Sequence, residues 1–357
     1  MAQAYGKSAA GFSKPTSILC YNHAMLISEV GEFGLIARIT RLINRTSNKQ
    51  AESWKGLIIS SGDDAAAWKQ EKVTELATTD ILVEGVHFDL SSLRWKDLGW
   101  KSIAVNVSDI AAMGGTPRYA LVSLALPARH SVEDILDMYR GMIKICNFYG
   151  IAIAGGNISS AEKVTVNITM TGTCSQRPMV RSSAITGDLI AVTGYPGLSA
   201  AGLNSIRHGT SIPATARKLF HNSHFHPLPL VEEGLMLASL GVETAIDTSD
   251  GLAADLSHIC KASRKSAVIY TGSIPVHPLL KRHFPHDYLR LALTGGEDYA
   301  LLFTADRELM EDVKSRLAIP VSVIGEITAA KTGKIIILDE RGKPYSTGPA
   351  GWDHYRH

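Results

Sequence analysis

Hydrophobic residues along the chain recur at two spacings, about 3.6 residues and about two residues, which are those of helices and strands. Residues 32–42 carry apolar side chains at helical spacing and predict a helix. Residues 56–60 predict a short buried strand that ends in the polar turn 61–64, and a second extended stretch leads into Thr78-Thr79-Asp80. The first third of the chain is therefore expected to mix α and β elements.

The same alternation continues through the middle of the chain. Residues 97–113 predict a helix that stops at Gly114, and residues 119–126 predict a strand. Ser131 is a favourable N-cap for a second helix, whose apolar residues recur at helical spacing until it ends before Gly150. Two helices and one strand are expected in this region.

Shorter strand signals follow. Residues 151–154 predict a strand that runs into Gly155-Gly156-Asn157, and residues 164–170 alternate apolar with polar side chains, as a half-buried strand does. Residues 189–193 predict another strand, after which helices and strands continue in mixed order. This order favours α+β layers over a doubly wound sheet.

A composition break at 175–187, rich in Arg, Ser and Pro, divides the chain. We predict an N-terminal domain over 25–174, a linker over 175–187 and a C-terminal domain over 188–357. Residues 1–24 have little periodicity and lack the apolar centre of a signal peptide, so they predict a disordered extension. The expected fold class is α+β, with two mixed α/β domains.

Composition narrows the classes of function. The chain has 357 residues, of which 45% are hydrophobic and 20% charged, as in folded globular proteins. The net charge of +2 gives no reason to expect nucleic acid or an anionic membrane as a partner. No apolar run approaches the roughly 18 residues of a membrane span. Four scattered cysteines match neither a zinc site nor a disulfide framework and favour the reducing cytoplasm.

Several acidic residues follow predicted strands or lie in segments that contain Gly or Ser. They are Asp63, Asp64, Asp80, Asp247, Asp250, Glu297 and Asp298. Carboxylates that converge from several loops repel one another, and magnesium, which prefers oxygen ligands, supplies the missing positive charge. For any single loop, ordinary turn chemistry explains the residues equally well. Asp109 is different because it interrupts an apolar helix, where an unpaired carboxylate would be costly.

Other signatures of phosphate chemistry are lacking in the sequence, which has neither a G-x-x-x-x-G-K-[ST] loop nor an H-R-D motif. Gly155-Gly156-Asn157 could form a backbone nest for a phosphate, although two adjacent glycines alone are better interpreted as a structural turn. In the residues themselves, the acidic loops are therefore the main sign of magnesium-dependent phosphate chemistry.

Six motifs, taken together and in order, resemble those of the thiamine-monophosphate kinases, a family in the aminoimidazole-ribonucleotide-synthetase superfamily. They are Gly31-Glu32-Phe33, Gly62-Asp63-Asp64-Ala65, Thr79-Asp80-Ile81-Leu82-Val83-Glu84-Gly85-Val86-His87-Phe88, Asn106-Val107-Ser108-Asp109-Ile110-Ala111-Ala112-Met113-Gly114, Asp247-Thr248-Ser249-Asp250-Gly251-Leu252 and Gly295-Gly296-Glu297-Asp298-Tyr299. The resemblance implies transfer of the γ-phosphoryl group of ATP to thiamine monophosphate, with several magnesium ions. It also implies an N-terminal sheet domain that forms a homodimer, and ATP in a cleft between the two domains.

By position, the resemblance also assigns roles to residues. The metal positions are Asp64, Thr78, Thr79, Asp80, Asp109, Asn157, Asp247 and Asp250. The nucleotide positions are Gly156, Asn157, Arg181, Ser249 and, as a weaker match near the adenine, Tyr139. The thiamine positions are His87, Glu297 and Trp352. Asp80, Asp109, Asp250 and Arg181 are the expected catalytic residues, since phosphoryl transfer depends on cations that stabilise the transferring group.

The chain departs from the family pattern in two places. A loop that commonly reads Gly-Gly-Asp is Gly155-Gly156-Asn157 here, which leaves the number of metal ions open, and Ser60-Ser61 replaces a glycine-containing approach to Gly62. Two other classes stay open: another ATP-using member of the superfamily, and a non-catalytic protein that binds a nucleotide or thiamine. The number of acidic residues argues against binding alone.

Overall fold

Two six-stranded sheets organise the residues that a computed structural model describes, which are 57–59, 66–70, 73–127, 129–209, 211–330 and 333–347. All of them belong to one compact unit. The predicted helix 32–42, the turn 61–64 and the extension 1–24 lie outside the described residues, so they stay predictions. In the described part of the chain, every helix is too short or too polar to span a bilayer.

The first sheet contains the N-terminal strands. They are β1 (Leu57–Ile59), β2 (Ala66–Gln70), β3 (Val73–Val83), β4 (Thr116–Leu126), β5 (Ala152–Ser160) and β6 (Thr165–Cys174). Their order is β1-β2-β3-β6-β4-β5, and neighbouring strands are antiparallel except for β4 and β5. Two helices, α1 (Trp95–Ala112) and α2 (Val132–Tyr149), pack on one face of the sheet.

The second sheet also has six strands in mixed orientation. Its strands are β7 (Leu189–Thr193), β8 (Thr244–Asp247), β9 (Ser266–Tyr270), β10 (Leu301–Ala305), β11 (Val321–Thr328) and β12 (Ile335–Leu338). Their order is β12-β9-β11-β7-β10-β8, and only the edge pair β12–β9 is parallel. The helices of this region are α3 (Leu198–His208), α4 (Ala214–Phe225), α5 (Val231–Leu240), α6 (Leu252–Ser263), α7 (Pro278–His283), α8 (Tyr288–Thr294) and α9 (Arg307–Arg316), with a 3-10 turn at Thr271–Ser273. Two mixed sheets with packed helices confirm the expected α+β class.

Several predicted elements are confirmed in detail. The helix expected over 97–113 is α1, which begins two residues earlier, at Trp95. Ser131 caps α2 as expected: its hydroxyl accepts the Asp134 amide at 3.1 Å, and the Asp134 carboxylate accepts the Ser131 amide at 3.0 Å. The helix ends at Gly150, which has a left-handed φ of 69°. Strand β6 alternates buried and half-buried residues along its length, as its sequence pattern predicted.

Two local predictions were wrong. Gly155-Gly156-Asn157 is not a turn or a nest but lies within β5, because pairing with β4 continues through these residues. A Cβ on Gly156 would lie 1.8 Å from the Val122 carbonyl oxygen, so glycine permits this close approach of two strands. Asp80 does not follow a strand either. It lies inside β3, opposite Ile168 of β6, since that strand pairs for three further residues.

Each sheet has its own core. Beneath the first sheet, α1 and α2 pack against alternate residues of β3, β4 and β6. The second sheet is buried on both faces: Ile190 and Leu302 pack with α6 and α8, whereas Ala191 and Phe303 face α5 and α9. Consequently β7 and β10 are mostly apolar and are buried along nearly their whole length, while β6 alternates.

Helices α1 and α2 cross at two glycines. A Cβ on Gly99 would lie 1.8 Å from the Met138 carbonyl oxygen, and one on Gly141 would lie 1.9 Å from the Lys96 carbonyl oxygen. The two backbones therefore touch directly, which fixes the depth of α1 beneath the sheet.

We expect Gly99→Ala to destabilise the protein by about 2 kcal/mol, because the added methyl forces the helices apart and outweighs the higher helix propensity of alanine. Chemical denaturation measures this change. Asn147→Ala, on the exposed side of α2, is the control and is expected to change stability by less than about 0.5 kcal/mol. Equal stability of the two variants would contradict this packing.

Candidate active site

Three carboxylates from three elements meet beneath the first sheet: Asp80 of β3, Asp109 of α1 and Asp247 at the end of β8. Asp80 and Asp109 lie close enough for each to shift the pKa of the other. The Thr78 hydroxyl donates to Asp109 Oδ2 at 2.5 Å, and the Ser108 hydroxyl donates to Asp247 Oδ2 at 2.6 Å. The cluster therefore joins residues of both sheets through consecutive positions of one helix.

The three carboxylates destabilise one another's charged forms. Burial and the charge of Asp247 raise the pKa of Asp80 to about 6, although its hydrogen bond to Asp109 acts the other way. Burial and the charges of Asp80 and Asp247 raise the pKa of Asp109 well above its ordinary value. Burial also raises the pKa of Asp247, against the Ser108 hydrogen bond and the charge of Arg181. A divalent cation bound to these oxygens would reverse the effect, and oxygen donors suit magnesium.

The alternation of side chains along β3 separates the predicted metal residues. Thr78 and Asp80 face α1, whereas the Thr79 hydroxyl lies on the opposite face, 3.0 Å from the Ile168 carbonyl and 3.2 Å from Asn167 Oδ1. Asn157 is exposed and stands in the same cross-strand row as Ser123 and Asn167. The structure therefore does not bring the side chains of Thr79 and Asn157 to the cluster, where Thr79 could offer only its main-chain carbonyl.

The predicted nucleotide residues are spread over several elements. Gly156 lies on β5 in the same row as Asp80. Tyr139 lies on α2, half-buried against the first core, and burial raises the pKa of its hydroxyl. Arg181 lies between β6 and β7, where the Ser263 hydroxyl donates to its carbonyl oxygen at 2.8 Å. Its charge acts on Asp247, which places the guanidinium group beside the acidic cluster.

A second group of ligand atoms lies at the start of α6. Asp250, Asp255 and His258 each offer one atom, and these atoms lie within 4.8 Å of one another. Burial and the charges of Asp250 and Asp247 raise the pKa of Asp255 well above its ordinary value. Burial and Arg181 lower the pKa of His258 to about 4. Sequence reasoning found Asp250 but missed Asp255 and His258, whose i, i+3 spacing on one helix face was a usable signal.

The loop 295–299 supplies the predicted thiamine residue Glu297. The Glu297 amide donates to the Ser249 carbonyl oxygen at 2.8 Å, and Glu297 and Tyr299 have left-handed φ angles of 65° and 51°. A Cβ on Gly296 would lie 2.5 Å from the Ser249 oxygen, so the two loops touch through their backbones. Such strain in residues other than glycine is concentrated at functional sites.

Two residues that the sequence analysis missed contact Glu297. Lys101 Nζ of α1 lies 2.8 Å from Glu297 Oε1, and His224 Nδ1 of α4 lies 3.3 Å from Glu297 Oε2. Lys101 could have been found by the reasoning that singled out Asp109, since both are charged residues inside the same apolar helix.

The remaining predicted residues are partly covered by the structure. His87 Nδ1 accepts the Val83 amide at 3.0 Å, and His87 is near enough to Glu297 to lower the pKa of its carboxyl group, which places both residues on the same side of the site. Asp64 and Trp352 lie outside the described residues, so their roles stay predictions.

Comparison with known proteins assigns a family to this arrangement. Residues 62–174 match the N-terminal domain, and residues 186–338 the C-terminal domain, of AIR synthase related protein. The thiamine-monophosphate kinase of Bacillus subtilis (strain 168) is 35% identical over 319 residues, which cover 87% of this chain and 95% of that relative. The chain belongs to the thiamine-monophosphate kinase family.

Two further matches agree with this assignment. The thiamine-monophosphate kinase of Escherichia coli (strain K12) is 36% identical over 334 residues, which cover 91% of this chain and 98% of that relative. A solved structure described as AaThiL complexed with AMPPCP and TMP is 31% identical, has a TM-score of 0.81 and covers 93% of this chain and 99% of that one. Membership in this kinase family therefore rests on matches that cover most of this chain and nearly the whole length of each relative.

We expect Asp80→Asn to stabilise the metal-free protein at pH 7.5, with a rise in melting temperature of roughly 3 °C. The pKa of Asp80 is raised from 3.8 to about 6 in the folded state, so stability is lost as the pH rises through this interval. Thermal unfolding in EDTA between pH 4 and pH 8 measures the effect.

The control is Asp312→Asn on α9, which removes an exposed carboxylate that pairs with Arg316. Its unfolding profile is expected to follow that of the wild type. A melting temperature of Asp80→Asn that equals or falls below the wild-type value at pH 7.5 would show that burial and Asp247 do not destabilise the charged form of Asp80.

Proposed function

We propose that the chain transfers the γ-phosphoryl group of ATP to thiamine monophosphate and so forms thiamine diphosphate. The observation that carries the proposal is the close meeting of Asp80, Asp109 and Asp247 in a member of this kinase family. The related structure is described with AMPPCP and TMP bound. These ligands support a nucleoside triphosphate as the phosphoryl donor and thiamine monophosphate as the acceptor.

The acceptor needs little activation by the protein. A phosphate monoester is largely ionised near neutral pH, so its oxygen is already a nucleophile. The larger barrier is the repulsion between two anionic phosphates, which positioned positive charge lowers. Arg181, whose charge acts on Asp247 and Asp255, would hold phosphate oxygens beside the acidic cluster.

The acidic residues fit magnesium as the cofactor. Asp80, Asp109 and Asp247 would hold it, and Asp250 lies on the loop that follows β8. Bound magnesium would supply the positive charge that draws the phosphate oxygens together. The protein's part is to fix these ligands: Thr78 and Ser108 orient Asp109 and Asp247 by the hydrogen bonds described above. The side chains of Thr79 and Asn157 are not included in this ligand set.

The homodimer of the family is also proposed for this chain. The outer face of the first sheet exposes apolar side chains: Ile81 is 51% exposed, Tyr119 51% and Leu121 45%. A sheet face of this kind is suited to pairing with a second copy. A sedimentation mass equal to one chain at micromolar concentration would contradict the dimer. The buried free cysteines Cys146, Cys174 and Cys260 suit the cytoplasm as the site of the reaction.

Incubation with ATP, magnesium and thiamine monophosphate, followed by chromatography, tests the function directly. Thiamine diphosphate is the expected product, and free thiamine is expected to be a poor acceptor because its alcohol would need a base. Formation of thiamine monophosphate from free thiamine at a comparable rate would contradict the assignment.

We expect Asp109→Asn to lower kcat by about 10²–10³-fold, because the loss of one carboxylate weakens the hold on the cation. Initial rates at saturating substrates measure this change. Asp137→Asn, on the outer side of α2, where it pairs with the exposed Arg140, is the matched control and is expected to keep wild-type kcat. A folded Asp109→Asn variant with wild-type kcat would exclude Asp109 from the metal site.

A further inference from the structure

Lys101 is a charged residue inside the protein. Only 1% of its surface is exposed, and it is among the largest of the fully buried side chains in the part of the chain that the structure describes. An ammonium group in such a position is costly unless it is paired. Its partner is Glu297, whose Oε1 lies 2.8 Å from Lys101 Nζ and whose side chain is 27% exposed. Within this ion pair, Lys101 is therefore buried, whereas Glu297 is partly accessible to solvent.

The contacts of Glu297 keep it an anion. Lys101, His224 and His87 together lower the pKa of its carboxyl group against the effect of burial. His224 does not add a second full charge, because burial and Lys101 lower the pKa of its ring to about 4. The neutral ring instead lies 3.3 Å from Glu297 Oε2 and 3.1 Å from the Ser199 hydroxyl. Lys101 is therefore the one full positive charge that contacts Glu297 among the described residues.

The backbone of Glu297 also needs support. Its φ of 65° is unusual for a residue with a side chain, and its amide is fixed to Ser249, a predicted nucleotide residue. The next residue, Asp298, accepts the Gly197 and Ser199 amides and so ties the loop to the start of α3. The ion pair with α1 fixes the side chain itself, so the carboxylate has a defined position relative to the acidic cluster on the same helix.

We propose that Lys101 is a positioning residue for the acceptor: it holds Glu297 ionised and in place for the cationic thiamine end of thiamine monophosphate. This inference rests on the proposed function. Lys101 is too deeply buried to touch the substrate, so it acts only through Glu297. The titratable groups that act on or lie beside Glu297 are Lys101 of α1, His224 of α4, His87 after β3, and Asp298 and Tyr299 of the same loop.

Lys101→Met, which keeps an unbranched side chain of similar volume and removes the charge, tests the proposal. We expect the KM for thiamine monophosphate to rise about tenfold, the factor that corresponds to 1.4 kcal/mol, while kcat and the KM for ATP change less than about threefold. Lys144→Met on α2, over the ring of Trp100, is the control and is expected to leave all three constants unchanged. An unchanged KM for thiamine monophosphate, or an equal rise in the KM for ATP, would overturn the proposal.

Two further measurements separate positioning from a general loss of structure. In Lys101→Met/Glu297→Gln, thiamine monophosphate is expected to bind as it does to Glu297→Gln alone, because Lys101 has no other route to the substrate. This neutral pair also serves if Lys101→Met does not fold. Weaker binding by the double variant than by Glu297→Gln would overturn the proposal.

The ionisation of Glu297 can be measured without any turnover. In protein labelled with carboxyl-¹³C glutamate, Glu297→Gln identifies the resonance, and Lys101→Met is expected to raise the pKa of Glu297. An unchanged titration would overturn the inference even if the enzyme is active. Wild-type protein that fails to phosphorylate thiamine monophosphate would instead overturn the proposed function, and the titration would still report on the Lys101–Glu297 pair.

Discussion

The hydrogen bond from Ser108 to Asp247 joins the helix beneath the first sheet to the end of a strand in the second. One residue further along the same helix, Asp109 accepts the Thr78 hydroxyl of β3. Helix α1 is buried along almost its whole length, and its backbone depth is set by the glycine contacts with α2. The polar residues of α1 are therefore held rigidly at the junction of the two sheets, and the rest of the site is arranged around them.

The site contains a cluster of carboxylates and, apart from it, an ion pair. Asp80, Asp109 and Asp247 repel one another where the proposed cations bind. Lys101, which lies on α1 two turns before Asp109, neutralises Glu297. The first group is poised to gain a cation, since every pKa in it is raised. The second is already balanced, since the pKa of Glu297 is lowered. This difference fits a metal and phosphate end and a thiamine end of one reaction site.

Residues of the site were most predictable from the sequence where a charged residue interrupts an apolar pattern. Asp109 was predicted for this reason, and Lys101 was missed although the same argument applied to it. The two-residue period of a strand would have put Thr78 and Asp80 on one face and Thr79 on the other. The match to the family motifs assigned all three to the metal site, because a match by position does not consider which face a side chain occupies. The strand through Gly155-Gly156-Asn157 was not predictable locally, because β5 depends on its pairing with β4, more than twenty residues earlier in the chain. His224 was missed since its contact with Glu297 joins residues that are far apart in sequence.

The proposed reaction requires that Asp80, Asp109 and Asp247 bind metal ions. A crystal structure with Mn²⁺ and a non-hydrolysable ATP analogue, analysed by anomalous scattering, tests this most directly. We expect manganese peaks within about 2.2 Å of carboxylate oxygens of Asp109 and Asp247. Manganese bound only to the nucleotide, with these carboxylates still held by Thr78 and Ser108 alone, would show that the carboxylates are not metal ligands.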